Sequence, residues 1–175
     1  LSDCSLNHQN WIPLNQTGRV SRGYSSQRLV LADQTVVDRV LSELSLGFFG
    51  QALLDRFGIE NRSFTDERLV IRDLPGFSLG PHTDSPSKVI SCLFYLARDY
   101  EQPYLGTAFY LPRDRARRCP GGPHHFFADF DRVKTFDYVP NAMLAFVKSD
   151  VSFHGVEPFT EGVRNLLLYD IRRKT

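Results

Sequence analysis

The segment Pro81-His82-Thr83-Asp84 sets an imidazole and a carboxylate two residues apart, and on an extended backbone such side chains leave the same face. Both could therefore grip one ion. A neutral imidazole beside a carboxylate suits borderline divalent metals, and two histidines with one carboxylate leave three coordination positions open for substrate and O₂. A third ligand is required, because a lone His-x-Asp is a weak signal. It must come from a distant strand that returns to the same mouth. Ser152-Phe153-His154-Gly155-Val156 is the β-like run that offers a histidine, so His154 completes the candidate set. Plainer roles stand beside these. A histidine near a strand end is commonly a hydrogen-bonded core or surface residue, and an aspartate just before Ser-Pro commonly forms a turn.

Arg164 lies ten residues past His154, within the apolar run 163–169. It shares a face with Leu166 and Leu168, which places that face in the interior. An unpaired buried guanidinium costs several kcal/mol, so Arg164 must either reach solvent or meet a carboxylate in a bidentate pair. A salt bridge to an internal Asp or Glu is the plain version of that pairing. His124 and His125, behind Gly121-Gly122-Pro123, read as loop residues and not as a second metal site, because adjacent side chains on an extended chain face opposite ways. Phe126, Phe127 and Phe130 read as a flap over the mouth or as core, and His8 has no partner in view.

The elements that must position these residues change period along the chain. Val36, Val37, Val40, Leu41 and Leu44 recur at helical spacing with Asp33 as N-cap, and predict a helix over 33–45. A second short helix is expected over 51–57, ended by Gly58. From Arg68 onward, short β-branched and aromatic runs between Gly, Pro and Asp turns predict strands over 68–74, 77–82, 88–96, 107–111, 133–139, 142–148, 152–156 and 163–171. Eight such strands suit a jelly roll, the double-stranded β-helix. The class is thus mainly β, with N-terminal helices that pack on an outer sheet face and leave the mouth free. With 175 residues, 42% of them hydrophobic, a single domain is expected over 1–175. Its helical support would span about 30–60 and its jelly-roll core about 68–172.

A net charge of +1 provides no field to draw the chain onto nucleic acid or an anionic membrane. The basic clusters 113–118 and 172–174 are short and read as solvated loop and tail. Three cysteines, Cys4, Cys92 and Cys119, are too few and too scattered for a disulfide framework. They point to a reducing, cytoplasmic setting. No stretch approaches the roughly 18 apolar residues that span a bilayer, and the first residues carry no secretory leader pattern. The chain opens without methionine, so it is expected to be a piece of a longer one. Oligomeric state leaves no signature.

With these residues assembled, the chain resembles the iron(II)- and 2-oxoglutarate-dependent oxygenases, and within them the prolyl 4-hydroxylase-like branch, over roughly its last hundred residues. The family's His-x-Asp is His82-Thr83-Asp84, its later histidine is His154 and its basic anchor is Arg164. Leu93-Phe94-Tyr95-Leu96 is similar to the family's Tyr-Leu-Asn strand, and Leu105-Gly106-Thr107-Ala108-Phe109 to its Gly-Gly-x-Thr strand. Val139-Pro140-Asn141-Ala142-Met143-Leu144-Ala145-Phe146 is similar to the proline-led strand before the distal histidine. Three positions depart from the pattern: the anchor is Arg where prolyl 4-hydroxylases generally carry Lys, Ala97 replaces Asn, and Leu105 replaces the first Gly.

The resemblance implies that His82, Asp84 and His154 bind Fe(II) between two facing sheets. It implies that Arg164 anchors the far carboxylate of 2-oxoglutarate and that Tyr95, through its hydroxyl, and Thr107 help to hold it. It also implies that 2-oxoglutarate and O₂ are consumed, with ascorbate as accessory, as succinate and CO₂ are released. The substrate would be hydroxylated at a C–H bond of a protein side chain, such as proline, or of a small molecule. Loops 98–104 and 112–125 are expected to select it. Two rival readings fit a jelly roll: a cupin-like iron dioxygenase that takes no 2-oxoglutarate, and a non-catalytic jelly-roll binding module.

Overall fold

The computed structural model describes residues 10–14, 27–33, 35, 38, 46–60 and 63–174. In chain order its strands are β1 (Trp11–Pro13), β2 (Arg28–Leu31), β3 (Phe64–Asp73), β4 (Leu79–His82) and β5 (Lys88–Tyr95), then β6 (Thr107–Pro112), β7 (Phe130–Phe136), β8 (Met143–Val147), β9 (His154–Val156) and β10 (Arg164–Arg173). One sheet runs β1-β2-β3-β10-β5-β8 and the other β4-β9-β6-β7. Strands β3 to β10 are the eight expected from sequence, four to each sheet, and they form the predicted double-stranded β-helix.

Alternation explains the layering. Along β10, Arg164, Leu166, Leu168 and Asp170 point to one face and Asn165, Leu167, Tyr169 and Ile171 to the other. Leu166 joins Ile71 and Leu93 from the large sheet and Leu79 and Val156 from the small one in the core between the sheets. Tyr169 and Ile171 instead meet Leu53 and Leu54 of helix α1 (Gln51–Arg56) on the outer face. The helix is where it was expected, on an outer sheet face that leaves the opposite side free. Its chain reverses at Gly58, whose φ of +65° is a conformation few L residues adopt.

Several boundaries move for reasons of pairing. β3 begins at Phe64, earlier than predicted, because 64–67 pair with the end of β10, from Arg173↔Phe64 to Asp170↔Glu67. β7 lies three residues earlier than its predicted span, since the register Pro112↔Phe130 draws Phe130 into the pairing. Strands β1 and β2 were not anticipated. At three and four residues they are too short to show a period, yet they extend the large sheet through Arg28↔Asp73.

Most of the helix predicted over 33–45 lies outside the described residues. At its expected start, the Asp33 carboxylate accepts the Thr35 backbone N–H at 3.0 Å. His8 and Cys4 are likewise outside the described residues. Among the described residues no helix is long and apolar enough to cross a membrane.

Candidate active site

Strands β4 and β9 run antiparallel with His82 directly opposite His154. Their backbones come so close that a Cβ on Gly155 would run into the Leu79 carbonyl oxygen, which is why a residue without a side chain follows His154. The two imidazole rings lie 4.4 Å apart between centroids. Asp84, just past the end of β4, brings Oδ2 to 3.7 Å from His154 Nε2. One ligand atom from each of His82, Asp84 and His154 lies within 4.8 Å of the others, and all three residues are buried. The structure thus gathers the predicted trio at one point, while His124 and His125 stay outside that group.

Hydrogen bonds orient the trio for cation binding. His82 Nδ1 lies 3.0 Å from the Gly80 carbonyl oxygen, and His154 Nδ1 3.0 Å from that of Ser152. A carbonyl only accepts, so both Nδ1 atoms carry a hydrogen and Nε2 is the nitrogen of each ring able to ligate a metal. The Ser91 hydroxyl donates to Asp84 Oδ2 at 2.8 Å, while the Lys88 ammonium lies 3.0 Å from Asp84 Oδ1 and 2.8 Å from Asp170 Oδ2. Burial, then the neighbouring His154 and His124, drives His82 well below its ordinary pKa of 6.5, so it is neutral near pH 7. Burial alone would raise the Asp84 carboxyl, but His154, Lys88 and His82 outweigh it and hold the group below the usual carboxylate range. Two imidazoles and one carboxylate are a donor set for a borderline divalent ion with positions left open.

Arg164 is 1% exposed, its guanidinium turned inward as its face predicted. Nη1 donates to Asp73 Oδ2 at 2.7 Å and Nη2 to the Thr107 hydroxyl at 2.8 Å. The plain version of its pairing, a salt bridge to an internal aspartate, is therefore present. Its Nε–H is buried with no partner among the described residues. Thr107 also donates its backbone N–H to the Tyr95 hydroxyl at 3.0 Å, leaving that hydroxyl a proton to give. Arg164, Thr107, His82, Asp84 and His154 all line one cavity of about 70 Å³ between the sheets. Tyr95 is not on its wall and touches the site through Thr107.

Several neighbours of the site escaped the sequence reading, Ser91 among them. Asp73 and Asp170 stand at inward positions of apolar strands, a signal legible in the alternation of β3 and β10. Lys88 reaches Asp84 across four residues, and only the turn between β4 and β5 makes that spacing short. Arg28 sits on β2, where no strand was predicted. His124 was read as a loop residue and is one, but its ring stands edge-on to His82 at 4.4 Å. The loop holds that position by one backbone and one side-chain hydrogen bond, His125 N–H to the Pro81 carbonyl at 2.8 Å and the Thr83 hydroxyl to the Cys119 carbonyl at 2.6 Å. The basic cluster 113–118 is solvated as expected, with Arg113, Arg115 and Arg117 ion-paired to Asp131 and Asp129. Arg172, read as tail, instead donates from Nε and Nη2 to one oxygen, Oε2, of Glu67. Phe130 is core, packed on Tyr110 and Phe153, whereas Phe126 is exposed.

No protein-family model matches the chain, and no curated protein sequence does either. Solved structures do. A Pseudomonas putida prolyl-4-hydroxylase superposes with a TM-score of 0.58 at 18% identity, over 95% of this chain and 79% of that one. HygX from Streptomyces hygroscopicus, solved with nickel and 2-oxoglutarate bound, gives 0.59 at 14% identity, over 98% and 76%. The α-ketoglutarate-dependent epimerase SnoN from nogalamycin biosynthesis gives 0.60 at 15% identity, over 97% and 70%. The fold is that of the 2-oxoglutarate- and iron(II)-dependent oxygenases. At these identities the likeness is one of architecture, and the chemistry has to be argued from the site.

Proposed function

We propose that this protein is an iron(II)- and 2-oxoglutarate-dependent dioxygenase that hydroxylates a C–H bond of a protein side chain or small molecule, releasing succinate and CO₂. One observation carries the assignment: two imidazoles and a carboxylate, with ligand atoms within 4.8 Å of one another, open into the same cavity as a buried guanidinium. His82, Asp84 and His154 would hold the iron, and Arg164 with Thr107 would take the far carboxylate of 2-oxoglutarate. Bound there, iron and 2-oxoglutarate supply O₂ activation and the oxidative decarboxylation, with ascorbate keeping the metal reduced. The residues contribute the rest. The carbonyls of Gly80 and Ser152 orient the imidazoles, Ser91 and Lys88 fix the Asp84 carboxylate, and Leu93, Phe146, Val156 and Leu166 form the apolar part of the cavity wall.

The neighbours support the same chemistry, since HygX holds 2-oxoglutarate on this fold and the Pseudomonas putida protein is a prolyl-4-hydroxylase. The substrate would enter by the hollow of about 240 Å³ beside the metal site, whose walls include Glu67, Lys88, His124 and Asp170. Succinate release, measured with iron, ascorbate and 2-oxoglutarate across a panel of peptides and metabolites, tests the proposal. Asp84→Ala and His82→Ala should abolish it, and unchanged turnover in either variant would overturn the assignment.

A second reading, an iron dioxygenase that takes no 2-oxo acid, draws support from the Arg164–Asp73 ion pair, which already provides the guanidinium with a partner. Under it, Arg164→Ala would leave activity intact. Under the proposal, 2-oxoglutarate binding would be lost.

A further inference from the structure

Arg164 poses an electrostatic difficulty for any anion that approaches it. Its Nη1 is 2.7 Å from a carboxylate oxygen of Asp73, and Asp73 is fully buried. In a dry interior, an arginine so paired presents a dipole. An incoming carboxylate would be repelled by Asp73 almost as strongly as it is drawn by the guanidinium. An anion anchor cannot be built from Arg164 and Asp73 alone.

A second guanidinium removes the difficulty. Arg28 donates from Nε to Asp73 Oδ1 at 2.6 Å and from Nη2 to Oδ2 at 2.9 Å, the bidentate geometry that binds carboxylates most firmly. The three residues form one row across the large sheet: Arg28 pairs in register with Asp73, and Asp73 with Arg164, so β2, β3 and β10 hold all three side chains on the cavity face. Phe77 packs over the Arg28 guanidinium, 4.5 Å from Cζ to ring centroid, and keeps it from swinging away. Both arginines line the cavity that contains the metal trio. Two guanidiniums against one carboxylate leave a single positive charge, which matches one carboxylate terminus of a ligand.

We infer that Arg28 is a positioning residue of the co-substrate site: by engaging Asp73 it frees Arg164 to hold the distal carboxylate of 2-oxoglutarate. The inference rests on the dioxygenase assignment, and it makes the short strand β2 part of the binding apparatus and not merely an edge of the sheet.

Charge counting provides the test. In Arg28→Gln the row becomes neutral, in Arg28→Lys its charge is kept, and in the double variant Arg28→Gln/Asp73→Asn the single positive charge returns without Arg28. Calorimetric titration of 2-oxoglutarate into the manganese(II)-loaded protein should show Arg28→Gln roughly tenfold to a hundredfold weaker than the parent. Arg28→Lys should bind more tightly than Arg28→Gln, and the double variant should recover most of the loss. A merely structural Arg28 would not be rescued by a second substitution that removes its partner. Circular dichroism on each variant reports folding: Arg28→Gln keeps Asp73 and Arg164 as a matched pair, and if the double variant, in which Arg164 loses its carboxylate, does not fold, the comparison of Arg28→Lys with Arg28→Gln decides. Parental affinity in Arg28→Gln, a folded double variant that binds no better than Arg28→Gln, or an Arg28→Lys that binds no better than Arg28→Gln overturns the inference and leaves the dioxygenase assignment standing. Manganese binding without any 2-oxoglutarate binding in the parent protein overturns both.

Discussion

The cavity has two ends, and they are built differently. The metal end takes two of its three candidate ligands from one four-residue stretch and the third from the strand paired directly with it, His82 opposite His154. The anchor end draws Arg28, Asp73, Thr107 and Arg164 from four separate strands of both sheets. At the metal end, the candidate ligands are two imidazoles and one carboxylate held by short-range hydrogen bonds, so its function is decided by atoms in contact. At the anchor end, the charge is decided by a row of ions, none of which can be judged without the other two. A local arrangement can be lost by one substitution, whereas a charge row can be lost and regained.

The largest expected effect separates the ends outright. Asp84→Ala should abolish manganese(II) binding, while Arg164→Ala should retain the metal and lose 2-oxoglutarate; calorimetry with the metal and then with 2-oxoglutarate distinguishes the two. If Arg164→Ala lost the metal as well, the ends would not be independent.

Stability provides the next contrast. Asp73→Ala leaves two buried guanidiniums without their carboxylate and should cost about 3–5 kcal/mol in urea unfolding. A loss below about 1 kcal/mol would mean that water reaches the row.

Acid should act on the metal end. His82 is held below 6.5 and Asp84 below 3.8 in the folded chain. Unfolding restores both to their ordinary values, so the unfolded state binds more protons. Stability from these groups is complete above the ordinary histidine value and is lost as pH falls, through His82 first and Asp84 later. Asp170, raised chiefly by burial, works in the opposite sense. The melting temperature of metal-free protein should therefore drop between about pH 7 and pH 5, and His82→Gln should flatten that part of the profile. An identical slope in parent and variant would remove His82 as its source.

The smallest effect concerns the group behind a ligand. Ser91→Ala deletes the hydrogen bond to Asp84 Oδ2 and should weaken manganese binding by roughly tenfold. Full affinity would show that Lys88 alone fixes the carboxylate.

The legibility of the molecule follows the same division. Strands β3 to β10 were readable because alternation over five or more residues, or turn residues at their ends, mark a half-buried strand. β1 and β2 are too short for that, and with β2 went Arg28. Asp73 and Asp170 stood in plain view at inward positions of their strands, but a charged residue there reveals only that a partner exists and not which one. His124 was set aside because its glycine- and proline-rich surroundings announce a loop, and no local rule says where a loop will lie.

By itself the chain determined strands β3 to β10, helix α1, the inward face of β10 and the residue types able to bind a divalent ion, because each depends on spacing along a few residues of backbone. Only the tertiary structure decided that His82 and His154 meet, that Lys88 bridges Asp84 and Asp170, and that Arg28 shares Asp73 with Arg164. Coulombic and hydrogen-bonding energies depend on separations of a few ångströms. Residues tens of positions apart acquire such separations only when sheet register closes the barrel.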